Sequence, residues 1–341
     1  MRNKLVLVLI ACQLIVLTIM AGKREYIRAY GTEIYLRTAP IDPNDPFRGE
    51  FVRLRYPMSS VNPKQLRGTV EQHRDDKDYP VYAVLTPNAG GIYVLDYLTD
   101  EAPTQGMFIK GYLSNDWHLR GWNGTSIGVR YGIEQYFVEQ GQGPKLEELM
   151  GQRNELQIPL EMRVAVGDDG TSLIKDHRLS ALGIKLEMLR VNTRDANTQT
   201  APTNLPLSPK IKVTLRNVSA GELTLVDPGE HCGFKLVPVE WTLQTYQAAD
   251  KSCERIALDK NALITLQPLE EYAVELELSA ARWHIRSENK TLEIGALPTP
   301  DMFRIVYHSP DAVQIAALDE THNIWRGELP SSAFNSSGRI D

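Results

Sequence analysis

The sequence predicts a mainly β protein carried on one N-terminal membrane-spanning helix. Three observations predict it. An uncharged apolar run opens the chain at Leu5–Gly22. From Glu25 onward the apolar residues recur with a period of two, punctuated by Gly, Pro, Asp and Asn. A second series of short alternating runs follows from about Leu179.

The apolar run reads LVLVLIACQLIVLTIMAG, eighteen residues without a charge. As a helix it would be about 27 Å long, close to the ~30 Å hydrocarbon core of a bilayer. Three readings compete. An uncleaved anchor is favoured. A cleaved signal peptide needs small residues at both −3 and −1, and no good Ala-x-Ala follows Met20. A lipoprotein box at Leu9-Ile10-Ala11-Cys12 would leave only eleven residues before Cys12, with the apolar run continuing past it. Arg2 and Lys4 precede the run; Lys23, Arg24 and Arg28 follow, so the charge bias on orientation is nearly balanced. The membrane, through residues 5–22, is the first expected partner.

The next unit, expected over 25–178, is β-rich. An extended stretch is expected from Tyr26 to Leu36, ending at Pro40. Phe51–Tyr56 alternates, with Val52, Leu54 and Tyr56 on one face and Arg53 and Arg55 on the other. Further strands are expected at Tyr79–Leu85, Ile92–Leu98, Met107–Tyr112, Ile127–Tyr131, Leu160–Val166 and Ser172–Lys175. Asp169-Gly170 between the last two is a hairpin signal. Pro144–Met150 reads as the one short helix, with Pro at its start and Gly151 after its end.

The last unit, 179–341, alternates at Leu182–Met188, then runs through a polar segment at 192–210, read as a long loop rather than a linker. Strands are expected at Ile211–Leu215, Leu223–Val226, Phe234–Trp241, Arg255–Leu258, Leu263–Leu266, Tyr272–Leu278, Phe303–Tyr307 and His322–Trp325. Many short strands with regular turns predict an antiparallel, immunoglobulin-like sandwich. The Ser/Asn/Gly-rich tail from Ser331 is expected to fray. Of three cysteines, Cys12 lies in the apolar run, which leaves Cys232 and Cys253 as a disulfide or as two separate thiols. An exported β-domain favours the disulfide.

Composition narrows the function. With 341 residues and 42% hydrophobic content the chain can bury real cores, and a net charge of −6 without a Lys/Arg cluster argues against nucleic acid as partner. No nucleotide-binding glycine fingerprint occurs, and no cofactor is implied. Asp42, Asp45 and Glu50 cluster, with Glu134 and Glu139 later, but 43 acidic residues make such clusters cheap. Ser59, Ser60 and Lys64 sit in a Pro-rich turn without a Gly-x-Ser-x-Gly context. His231-Cys232, Cys253 and His284 match no metal spacing. Trp117 and Trp122 flank Gly121 as the exposed exceptions among the tryptophans.

The most distinctive stretch is Asp42-Pro43-Asn44-Asp45-Pro46-Phe47-Arg48-Gly49-Glu50-Phe51-Val52-Arg53-Leu54-Arg55-Tyr56. It resembles the signature of the bacterial GDYXXLXY family: Gly49, Leu54 and Tyr56 match, Glu50 stands for the Asp and Phe51 for the Tyr. Tyr131–Glu139, with Glu134 and Tyr136, also resembles that family, as does the Val164–Lys175 hairpin. The resemblance covers about Tyr26 to Asp176 and the anchor. It implies a membrane-associated envelope protein of unestablished function beside multispanning membrane proteins. Read from the residues alone, Asp42, Asp45, Arg48, Gly49 and Glu50 form a turn leading into the half-buried strand of Phe51, Leu54 and Tyr56. A binding groove on this loop is the second reading, catalysis the third. The expected function is a non-catalytic, protein-binding module held at the cell membrane with its β domains on the periplasmic or extracellular side. The alternative is an envelope hydrolase acting on peptide or glycan.

Overall fold

The computed structural model describes residues 2–38, 51–116, 119, 126–139, 142–151, 155–190, 208–239, 246–249, 253, 258, 260–287, 290–297, 301–318 and 323–340. Its class is mainly β, built from several antiparallel sheets with few helices.

Helix α1 runs Arg2–Tyr30. It extends two turns beyond the apolar run, so the expected extended stretch at Tyr26–Tyr30 is helical instead. Lys23–Tyr30 holds neither Gly nor Pro, and a formed helix propagates until its backbone is interrupted. Gly31 ends it: its N–H donates to Ile27 O at 2.8 Å. A Cβ there would lie 2.5 Å from Ile27 O and 3.0 Å from Val166 O. Counted over the described residues, no helix is long and apolar enough to cross a membrane. The side chains of Leu5, Leu7 and Val8 lie outside that set.

The first β unit holds β1 (Thr32–Arg37), β2 (Phe51–Arg53), β3 (Ser60–Val61), β4 (Pro80–Pro87), β5 (Tyr93–Thr99), β6 (Met107–Ser114), β7 (Ile127–Arg130), β8 (Gln135–Phe137), β9 (Leu160–Val166) and β10 (Ser172–Leu179). Helix α2 (Gln142–Met150) follows β8 and stops where Gly151 takes φ +79. Three sheets form: β1-β9-β10, the ribbon β2-β8, and the five-stranded β3-β7-β6-β4-β5. The hairpin β9–β10 turns through Gly170 at φ +77, a backbone region that favours glycine. One apolar cluster from Ile34 to Val166 fills the unit.

The second unit holds β11 (Leu182–Arg190), β12 (Lys210–Asn217), β13 (Leu223–Val226), β14 (Phe234–Pro238), β15 (Tyr246–Ala248), β16 (Leu263–Leu266), β17 (Glu271–Glu277), β18 (Ile285–Ser287), β19 (Lys290–Leu292), β20 (Phe303–His308), helix α3 (Ala312–Leu318) and β21 (Glu328–Pro330). They form β11-β12-β17, β13-β16, β14-β20-β21 and β15-β18-β19 around a separate cluster from Leu182 to Phe334. Residues 255–257 of the strand expected at Arg255–Leu258 and most of the polar loop lie outside the described residues.

The tail does not fray. Ser331 to Asn335 are buried, and Phe334, fully buried, exchanges backbone hydrogen bonds of 2.7 and 2.8 Å with Phe303. One aromatic among small polar residues is enough to seat the strand end, because burying a phenylalanine side chain stabilises by about 1.5–3 kcal/mol.

Candidate functional site

The two stretches that carry the sequence signature meet in space. β2 pairs antiparallel with β8, setting Phe51 opposite Phe137, Val52 opposite Tyr136 and Arg53 opposite Gln135. The chain then leaves the ladder, with one further bond from Leu54 N–H to Glu134 O at 2.8 Å. Val52, Leu54 and Tyr56 are buried while Arg53 and Arg55 are exposed, the alternation read from the sequence.

Two tyrosines clasp this junction in both directions. Tyr56 OH donates to Ile133 O at 3.0 Å, and Tyr131 OH donates to Met58 O at 2.7 Å. Burial, with the neighbouring Glu134 carboxylate adding to it, pushes both phenols far above their ordinary pKa. They are therefore permanent donors rather than bases. Glu134 accepts from the N–H of Tyr131 and from that of Gly132 at 2.9 Å, closing the turn in which Gly132 takes φ +78. Its two oxygens are thus engaged by its own loop. Gly111 on β6 makes room for the clasp, since a Cβ there would lie 2.8 Å from the Tyr131 ring. Tyr136 OH bonds His177 Nδ1 at 3.0 Å, and its phenol too is pushed up by burial and by Asp176. Phe137, next in the chain, is 71% exposed.

A cleft of ≈ 250 Å³ opens beside the clasp; its walls include Leu36, Arg37, Tyr56, Met58, Gln65 and Ile92. Arg37 leaves it to meet the buried Glu161 at 2.7 Å, and Arg178 Nε reaches the same carboxylate at 2.8 Å. Arg37 also donates to Glu328 O on β21, tying the cleft to the second unit.

Asp42, Asp45, Arg48, Gly49 and Glu50 lie outside the described residues, as do Trp117 and Trp122. Phe51, Leu54, Tyr56, Glu134 and Tyr136 come together as described. Tyr131 stood at the start of the second motif without a role assigned to it, and Gly111, His177 and the Arg37–Glu161–Arg178 group were not singled out from the sequence. Only Tyr131-Gly132 carried a local signal, a glycine turn with a carboxylate two residues on. In the second unit Cys232 and Cys253 form a disulfide with Cα atoms 5.4 Å apart. Nearby, Asp227 accepts from Gly233 N–H (2.9 Å) and Tyr272 OH (2.6 Å) and pairs with His231 (3.0 Å). Among the described residues no group of three or more His, Cys, Asp or Glu side chains is placed to hold a metal ion.

Residues 13–176 match the profile of the family described as GDYXXLXY protein. That part of the chain belongs to the GDYXXLXY family. The match starts inside α1 and ends on β10, so it takes in the ribbon, the clasp, the cleft and the β9–β10 hairpin of what is hereafter the GDYXXLXY domain. No curated protein and no solved structure matches the chain.

Proposed function

We propose that the chain is a membrane-tethered envelope protein whose GDYXXLXY domain docks, without catalysis, onto another membrane protein. The observation that carries this is how the signature spends its side chains. Leu54 and Tyr56 face inward onto core and backbone, and the half-exposed Glu134 folds back onto its own turn, whereas Phe137 of the same ribbon and Leu149 of α2 stand 71% and 54% exposed. Large exposed apolar side chains suit protein contact. Hydrolysis of peptide or glycan would need a free carboxylate or a nucleophile with a base, and Glu134 is spoken for.

The tether is α1. Leu5–Gly22 is uncharged, and its apolar side chains from Leu9 to Met20 are exposed to the extent of 49–65% at Leu9, Ile10, Leu14, Ile15, Val16, Leu17, Ile19 and Met20. The disulfide supports a periplasmic or extracellular location for the β units. The distal unit, whose antiparallel sheets enclose a main apolar cluster and a smaller one around Val226, Ala262, Ile315 and Ile324, is read as an immunoglobulin-like sandwich adaptor.

A photo-crosslinking amino acid at position 137 of the full chain in its native membrane tests the docking face. A discrete adduct with a membrane protein is expected from 137 and not from Leu269, an exposed control on the second unit. No adduct, or the same adducts from both positions, would refute the docking face.

A further inference from the structure

We infer that the tip of the β9–β10 hairpin and the last two turns of α1 form one surface that rests in the lipid headgroup layer, holding the GDYXXLXY domain at a fixed height on the bilayer. This rests on the reading of α1 as the anchor.

The first support is continuity. α1 is unbroken from Arg2 to Tyr30, about 43 Å at ~1.5 Å per residue. A hydrocarbon core of ~30 Å takes about 20 residues, which leaves the turns after Gly22 to rise roughly 12 Å through the headgroup region. The joint to the sheet is one residue, Gly31, whose N–H closes on Ile27 O at 2.8 Å. Thr32 then pairs directly with Val166. No flexible tether separates helix from domain.

The second support is that the hairpin folds back down the helix. Ile27, 3% exposed, lies under Gly167, where a Cβ would sit 3.0 Å from its side chain. Beyond it Lys23 Nζ meets Asp169 at 2.6 Å. Lys23 is the first residue after the apolar run. The tip therefore reaches the level at which the hydrocarbon ends.

The third support is the chemistry of that level. Tyr26 and Tyr30 are 63% and 76% exposed on the outer face of the helix, with ring centroids 5.1 Å apart. Tyr112, on the strand whose Lys110 N–H donates to Gly170 O at 2.8 Å, is also exposed. Tyrosines concentrate at membrane–water interfaces because the ring prefers the boundary while the hydroxyl stays wet. Lys23 is bound to Asp169, Arg28 lies 3.8 Å from Glu25, and the exposed Arg24 on the helix is matched in number by Asp168 at the tip, so this surface carries no net charge. The contact is thus to the headgroup layer itself, without a requirement for anionic lipid.

The test uses the full chain in proteoliposomes, with Cys12→Ser to remove the free thiol. A fluorophore is placed by Asp168→Cys at the tip, by Leu14→Cys in the apolar run, or by Leu269→Cys on the second unit. Quenching by headgroup-labelled lipid is expected to be several-fold greater at 168 than at 269, and equal in zwitterionic and anionic vesicles. A four-residue Gly/Ser insertion after Gly22 should bring 168 down to the level of 269 while tail-labelled lipid still quenches 14. If 14 is quenched by tail label but 168 behaves like 269 in the uninterrupted chain, the fixed seat is wrong and the anchor stands. If 14 is not quenched by tail label, the anchor reading fails and takes this inference with it. Quenching at 168 that survives the insertion would overturn the role of helix continuity.

Discussion

At the scale of single residues, His308 shows how burial sets chemistry. It ends β20, its N–H donates to Gly233 O at 2.9 Å, and its Nε2 is buried without a hydrogen-bond partner among the described residues. Removal from water, with Lys235 and Arg282 nearby, pulls its pKa down to about 4. The unfolded chain binds this proton near pH 6.5, so between about pH 6.5 and 4 it holds more protons than the native state. Stability contributed by neutral His308 is complete above that window and declines as pH falls through it. Unfolding free energy is expected to drop by on the order of 1–2 kcal/mol from pH 6.5 to 5. His308→Gln should flatten that slope in chemical denaturation followed by tryptophan fluorescence. An unchanged slope would show that another group titrates there. Nothing local in Tyr307-His308-Ser309 announced this; the cause is what packs over the ring.

At the scale of elements, the ribbon β2–β8 and its tyrosine clasp explain the signature. Alternation in Val52-Arg53-Leu54-Arg55-Tyr56 was legible because strand side chains point to opposite faces. The partner was not legible: Tyr56 and Ile133 are 77 positions apart, and Tyr131 and Met58 are 73 apart. Tyr56→Phe and Tyr131→Phe should each cost about 1–2 kcal/mol, since each strands a buried carbonyl. The double variant should come near the sum and speed amide exchange through residues 51–56 and 131–137. If neither single variant alters denaturation or exchange, the clasp does not hold the ribbon. The same limit explains two misread ends. Tyr26–Tyr30 has strand-like composition, but it continues a helix already formed by the eighteen uncharged residues of Leu5–Gly22. Ser331–Asp341 has the composition of a frayed tail, but Phe334 finds a slot beside Phe303.

At the scale of the whole molecule, the two apolar clusters part between Leu179 and Ala181, and the units are still fastened at several points. Gln157 and Ile184 exchange backbone hydrogen bonds of 2.8 and 2.9 Å, and Arg37 reaches Glu328 O. A third contact sets Gly90, in the turn between β4 and β5, against Arg326 and Gly327. A Cβ on Gly90 would stand 2.5 Å from Arg326 O. Gly90→Val should open this contact, seen as faster amide exchange at residues 324–330. Each unit should keep its own stability to within about 1 kcal/mol, because the change lies between the cores. Unchanged exchange at 324–330 would mean that the two units do not meet there in solution.

The sequence alone determined the β class, the faces of the strands, the short helix with its glycine stop, and the family of residues 13–176. All of these are written in residues a few positions apart, where backbone geometry couples neighbours directly. Tertiary structure decided which tyrosine meets which carbonyl, why Gly111 must be small, that Glu134 caps a turn, and how far α1 runs before the sheet takes over. Those outcomes depend on groups brought together across tens of residues, and there the energy of burial and of satisfying buried hydrogen bonds outweighs local preference.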